Sequence, residues 1–313
     1  MATALQSAAA PLPHKGTPLN TYEMKQEFRQ YLIDGEKAAE QCALAVPRRI
    51  LVGATGVHIG HRPGSSLEFK DHRDYQPGDD LRRIDWGAYA RSDRLVVRLH
   101  HEEVSPHLDI LIDGSRSMAI EGTDKTRATI TLAAFFAGAA SNAGFSHAAW
   151  IAENGCKKLG NSGNQPSTWE GLEFDHLGNL AESMNRLTPS WRPQGLRVLI
   201  SDLLWLADPV TTLQFFSRGA ATVVVLQVLA AVDTEPPERG FLRLIDSETD
   251  EVTEINLDDT AIKRYRQSLS FHQQNWQLAC RQVGAVFASV IAEEMVKSID
   301  IPELAAAGIL KVG

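Results

Sequence analysis

Five short apolar runs constrain this chain more than any other feature of its 313 residues. They are "HLDILID" (107–113), "FSHAAWIAE" (145–153), "LRVLISD" (196–202), "ATVVVLQVL" (221–229) and "AVFASVIA" (285–292). Between them lie segments with helical spacing at 125–144, 176–187, 210–219 and 260–284. A strand buried on one face alternates apolar and polar residues, whereas these runs are nearly continuous, as burial on both faces requires. Strands of this kind alternating with helices specify an α/β fold, a mostly parallel sheet with helices on both faces.

The flanks read differently. Residues 1–20, rich in Ala and Pro, are expected to be a mobile tail. Residues 21–46 read as a helix with Thr21 as N-cap and Pro47 beyond its end, and "RRILVGA" (48–54) as a strand or extended connector. From Gly60 to Arg94 the chain is dense in Gly, Asp and Arg and shows no sustained helical period; "RLVVRLHHEE" (94–103) alternates like a strand. The expected organisation is a module over 21–104, a sheet domain over 105–295, in which 241–257 forms a hairpin, and a terminal helix over 296–313.

Charge and composition narrow the function. Lys and Arg total 31 against 39 Asp and Glu, a net charge of −8, which argues against nucleic acid and anionic membranes as partners. The longest apolar stretch, "ITLAAFFAGAA" (130–140), falls short of a membrane span, and the N-terminus lacks the features of a signal peptide. Cys42, Cys156 and Cys280 show no CxxC spacing, so reduced thiols and a cytoplasmic setting are expected. There is no GxxxxGK[ST] loop and no GxSxG elbow, and the histidines show no regular metal-ligand spacing.

Chemistry concentrates where strands end. In a doubly wound sheet, ligands bind beyond the carboxyl ends of the strands, where strand order reverses. "ILID" ends at Asp113 and is followed by Ser115 and Ser117; "VLISD" ends at Ser201-Asp202. If the two strands are neighbours, Asp113, Ser115, Ser117 and Asp202 converge. Carboxylates and hydroxyls without nitrogen or sulfur suit Mg²⁺, Mn²⁺ or Ca²⁺. The plain alternative is a turn at Gly114 with Ser115 or Ser117 capping the next helix.

"DGSRSM" after an apolar strand resembles the metal-ion-dependent adhesion site of von Willebrand factor A-type (vWA) domains. A longer string precedes it, R-x-Y-x-x-G-D-D-x-R-x-I-D-W-x-x-x-A-R. It is carried here by Arg73, Tyr75, Gly78, Asp79, Asp80, Arg82, Ile84, Asp85, Trp86, Ala90 and Arg91. This string resembles the signature of bacterial domain-of-unknown-function family 58 (DUF58), and the resemblance runs over roughly residues 50–300. It implies a Rossmann-like vWA domain over about 105–295. It also implies a divalent ion held by Asp113, Ser115 and Ser117, with a more distant contribution from Asp202. Such sites add a threonine from the loop before the helix that precedes the "LISD" strand; Thr168, in a segment with no Gly-Thr step, is the candidate. The implied partners are a MoxR-type AAA+ ATPase or other vWA proteins, with this chain as adaptor or co-chaperone.

On their own physics, the acids Asp74, Asp79, Asp80 and Asp85 among Arg73, Arg82, Arg83 and Arg91 favour an ion-pair network, anchored to the sheet domain through Trp86 and Tyr75; a second carboxylate site on Asp79, Asp80 and Asp85 and a partner-docking surface are the alternatives. The functional expectation is a metal-dependent protein-binding module rather than an enzyme, since no nucleophile or base can be named beside the metal. A phosphoesterase-like hydrolase using the same ion, and a scaffold whose metal site is vestigial, are the rival readings.

Overall fold

The computed structural model describes residues 3–7, 21–45, 69–100, 106–186, 189–236, 240–247 and 251–312. The chain divides into two compact units, Met1–Ile50 with Pro106–Gly313, and Leu51–Ser105.

In chain order the larger unit begins with β1 (Thr3–Ser7), α1 (Thr21–Ala38) and β2 (Cys42–Leu44). The smaller unit holds β3 (Phe69–Asp74), α2 (Trp86–Ser92) and β4 (Val96–His100). The larger resumes with β5 (His107–Asp113), α3 (Lys125–Asn142), β6 (Ser146–Glu153), β7 (Gly155–Lys158) and α4 (Leu180–Arg186). Next come β8 (Leu196–Ser201), α5 (Pro209–Ser217), β9 (Thr222–Leu229), α6 (Ala231–Thr234), β10 (Gly240–Asp246) and β11 (Val252–Leu257). It closes with α7 (Asp259–Val283), β12 (Val286–Ile291), α8 (Ala292–Met295), α9 (Pro302–Ala306) and β13 (Leu310–Val312).

The central sheet has six strands in the order β12-β9-β8-β5-β6-β7. All neighbours are parallel except β6 and β7, which are antiparallel. Successive strands run outward from β5 to one edge, then from β8 to the other, so strand order reverses between β5 and β8. That is the switch point of a doubly wound sheet. Every residue of β5 and β8 is buried, the physical reason their sequences run apolar without alternation. Leu108, Ile110 and Ile112 point into the core shared with α3 and α1; Leu111 points the other way, into the core shared with α4, α5 and α7.

The alanine-rich α3 is buried almost all round because α1 lies across it. Gly35 allows that approach: a Cβ there would overlap the Thr131 carbonyl oxygen and stand 2.7 Å from the Ala134 Cβ. The helix expected over 21–46 therefore packs on the larger unit instead of joining the Arg/Asp module, and it stops at Ala38. Cys42–Leu44 beyond it is a strand paired antiparallel with β13, so the terminal segment expected to be helical ends as a strand. Within the expected tail, Thr3–Ser7 is also a strand, satisfying the free edge of β10. β10 and β11 form the expected hairpin. Further short elements have no counterpart in the sequence analysis: β7, inside a polar loop, the strand β3, the two-turn α2, and the single-turn helices α6 and α8. The "RRILVGA" stretch lies outside the described residues. No helix among them is long and apolar enough to cross a membrane.

Candidate functional site

The site is built at the carboxyl edge of β5 and β8. Asp113 is the last residue of β5 and only 1% exposed; Asp202 follows the last residue of β8 and is 2% exposed. Gly114 must be glycine, because a Cβ would come within 2.6 Å of the Ala152 carbonyl oxygen and 2.9 Å of Ile151. The Gly114 N–H donates to Ala152 O at 3.1 Å, and the chain turns so that Ser115 and Ser117 face back toward Asp113. The segment before α4 lies alongside: the His176 N–H donates to Gly114 O and its carbonyl accepts from Arg116 N.

The side chains form one continuous chain of contacts. Asp113 accepts the Ser115 N–H on Oδ1 (3.0 Å) and the Ser201 hydroxyl on Oδ2 (2.5 Å). The Ser115 and Ser117 hydroxyls are 3.0 Å apart, and Ser117 also hydrogen-bonds Asp202. Asp202 accepts the Leu204 N–H on Oδ1 (3.0 Å) and the Lys125 ammonium on Oδ2 (2.7 Å). The same ammonium lies 3.2 Å from Asp233, which follows β9. Leu203, between these groups, sits at φ +59° and is held there by His272 of α7, 2.6 Å from its carbonyl oxygen. A leucine in this left-handed region is strained, and the packing around it must hold the loop in place.

Burial and charge decide the protonation states. Burial, then the nearby Asp202 carboxylate, pushes the Asp113 carboxyl up from 3.8 to about 6. Burial works in the same direction on Asp202, but the Lys125 ammonium and the hydrogen bonds outweigh it and hold its pKa low. Burial alone would discharge Lys125, yet Asp202 and Asp233 outweigh it and keep the ammonium charged. Among the described buried groups joined by these contacts, three carboxyl side chains, Asp113, Asp202 and Asp233, thus lie around one ammonium. Two hydroxyls and carboxylate oxygens, together with that excess of acids, fit a hard divalent cation.

Thr168 does not join this group. Its hydroxyl donates to Gln165 O at 2.7 Å, in a 3₁₀ turn that meets α1 where Glu36 accepts the Ser167 N–H. The sequence reading had no place for Lys125 or Asp233. One signal was available: Lys125 opens α3, where the helix dipole disfavours a cation, directly before a run that is almost wholly buried.

In the smaller unit the acids act mainly as caps. Asp80 accepts the Arg82 N–H, and Asp85 accepts the Ala88 N–H at the start of α2 while bonding His72 at 2.8 Å. Asp79 accepts from Gln76 N and pairs with Arg73, both at 2.8 Å. Tyr75 N donates to Leu95 O, and Gly78 takes φ +107° in the turn. Trp86 is 59% exposed and packs edge-on to Tyr89; Arg82 and Arg91 are exposed. Among the described residues, the Arg73–Asp79 pair stands beside a set of local caps.

A family model described as "Protein of unknown function DUF58" matches residues 71–275, spanning both the capped signature and the aspartate site. The chain belongs to the DUF58 family. Uncharacterized proteins of Mycobacterium bovis and Mycobacterium tuberculosis are 27% identical to this DUF58 chain over 249 residues, covering 75% of it and 78% of their own length. Among solved structures, a conserved hypothetical protein BatB from Bacteroides thetaiotaomicron covers 64% of this chain and 98% of its own at 11% identity, with a TM-score of 0.31. An aerotolerance-related membrane protein from Bacteroides fragilis covers 57% and 98% at 12% identity, with a TM-score of 0.27.

Proposed function

We propose that this DUF58 protein is a metal-dependent protein-binding module of the vWA type, acting in the cytoplasm as adaptor or co-chaperone to a MoxR-type AAA+ ATPase or other vWA proteins. The observation that carries the metal reading is the convergence of Asp113, Ser115, Ser117 and Asp202 at the β5/β8 switch point, in a buried cluster where three carboxyl side chains share one ammonium. Mg²⁺ is the favoured ion, with Mn²⁺ or Ca²⁺ as substitutes, because the donors are all hard oxygens. When bound, the ion supplies an open coordination position that a partner's carboxylate can fill. Asp113 and the two serines hold the ion, while Ser201 and the Ser115 N–H orient the Asp113 carboxylate for that task. The ATPase partner rests on the family resemblance.

Calorimetric titration of Mg²⁺, Mn²⁺ and Ca²⁺ into wild type and Asp113→Ala tests the metal reading. Saturable binding lost in the variant is expected, followed by capture of the ATPase only without chelator. Wild type that binds no ion, even with a carboxylate-bearing peptide in excess, would refute it. Phosphoester turnover abolished by Asp113→Ala would transfer the site to the hydrolase reading.

A further inference from the structure

Lys125 sits inside the cluster without a ligand role in the metal reading. Its side chain is completely buried, with its ammonium 2.7 Å from Asp202 and 3.2 Å from Asp233. A buried lysine is costly unless paired, so these contacts must be maintained as the protein works. They are also held from several directions. Asp233 Oδ2 accepts the Ala230 N–H at 2.9 Å, and the Asp233 carbonyl accepts the Tyr265 hydroxyl of α7 at 2.5 Å. The Asp202 carbonyl accepts the Gln227 side-chain amide at 3.0 Å. Asp202 differs from Asp113 in its donors: Leu204 N on Oδ1 and a cation, Lys125, on Oδ2, where Asp113 accepts from a neutral amide and a neutral hydroxyl.

We propose that Lys125 is a built-in counter-cation that keeps Asp202 out of the direct ligand set and thereby sets the strength and selectivity of divalent-ion binding. This rests on the metal reading given above. The direct donors are then one carboxylate, Asp113, and two hydroxyls, Ser115 and Ser117. Mg²⁺ and Mn²⁺ accept such a set, since Mg²⁺ keeps several waters and binds through one or two carboxylates. Ca²⁺ takes six to eight oxygens and favours bidentate carboxylates, so it is disfavoured while Asp202 is engaged. Lys125 is a positioning and selectivity residue, acting through Asp202 and through its own charge.

Two variants, each read by calorimetry and by the rise in melting temperature on adding the ion, test this. Lys125→Met removes the ammonium and frees Asp202 Oδ2. Mg²⁺ should bind at least about tenfold tighter, given the repulsion of a unit charge at an effective dielectric of about 20, and Ca²⁺ should gain more than Mg²⁺. Asp233→Asn leaves the ammonium to Asp202 alone and takes one negative charge from the cluster without touching the proposed ligands. By the same Coulombic reasoning its Mg²⁺ binding should weaken by at least about threefold. A folded Lys125→Met protein that binds Mg²⁺ no tighter than wild type, or keeps the wild-type Ca²⁺/Mg²⁺ ratio, overturns the inference and leaves the metal site standing. If Lys125→Met does not fold, Asp233→Asn decides, and unchanged or tighter binding overturns it. Wild type that binds no ion overturns both the inference and the reading beneath it.

Discussion

Asp113 is buried beside a second carboxylate, which makes it a burden on the metal-free fold, and Asp113→Asn measures that burden. Its carboxyl is pushed from 3.8 to about 6, and one pKa unit corresponds to about 1.4 kcal/mol, so the ionised side chain costs the folded state about 3 kcal/mol. The sign follows from proton binding. As pH rises from about 4 to about 6, the unfolded chain releases the Asp113 proton while the folded chain still holds it, so stability falls through that window and levels off above it. Asparagine has no proton to lose. It keeps an acceptor for the Ser115 N–H, and its amide can donate to the Ser201 hydroxyl, which already accepts from Leu203 N at 3.0 Å. That rearrangement costs about 1 kcal/mol, leaving a net gain of about 2 kcal/mol for the variant at pH 8. Urea denaturation in EDTA at pH 4 and pH 8 is the assay. The variant should be equal to or slightly weaker than wild type at pH 4 and more stable at pH 8. A variant less stable at pH 8, or a difference that does not move with pH, would refute the reasoning. Saturating Mg²⁺ should reverse the order at pH 8, because only wild type keeps the carboxylate that holds the ion.

Gly35→Ala forces a methyl group into the α1–α3 crossing, and after the gain in helix propensity the net loss should be about 1–2 kcal/mol in urea denaturation; unchanged stability would mean the two helices are not in close contact. Asp85→Ala removes the α2 cap and the partner of His72, and should cost the smaller unit about 1–2 kcal/mol, seen as faster amide exchange across Trp86–Ser92. Equal protection in both proteins would refute the capping role. Ser115→Ala should weaken Mg²⁺ binding measurably by calorimetry while Thr168→Ala leaves it unchanged, because the Thr168 hydroxyl is spent on Gln165 O. A loss in Thr168→Ala comparable to that of Ser115→Ala would return Thr168 to the ligand set.

What the amino-acid sequence determined by itself is local. Continuous apolar runs such as "HLDILID" and "LRVLISD" declare strands covered on both faces, since a solvent-facing side would require polar alternation. Their alternation with helices declares the parallel sheet, and the acids at their ends mark the edge where a ligand would bind. Helix limits near Gly144, Gly219 and Gly284 were equally legible from the terminating glycines. The tertiary structure alone decided which of these parts meet. Nothing in either strand states that β5 lies beside β8, so the approach of Asp113 to Asp202 follows only from sheet order. Lys125 and Asp202 are 77 positions apart and form a pair only because α3 starts beside the end of β8. Thr168 fell on the turn against α1 because Glu36 reaches it there, and α1 itself joined the sheet unit through the bare backbone of Gly35. Periodicity and capping act over a few residues, which a linear sequence displays. A buried ion pair or a helix crossing depends on loop closure and the packing of distant surfaces, and those are settled only when the whole core forms.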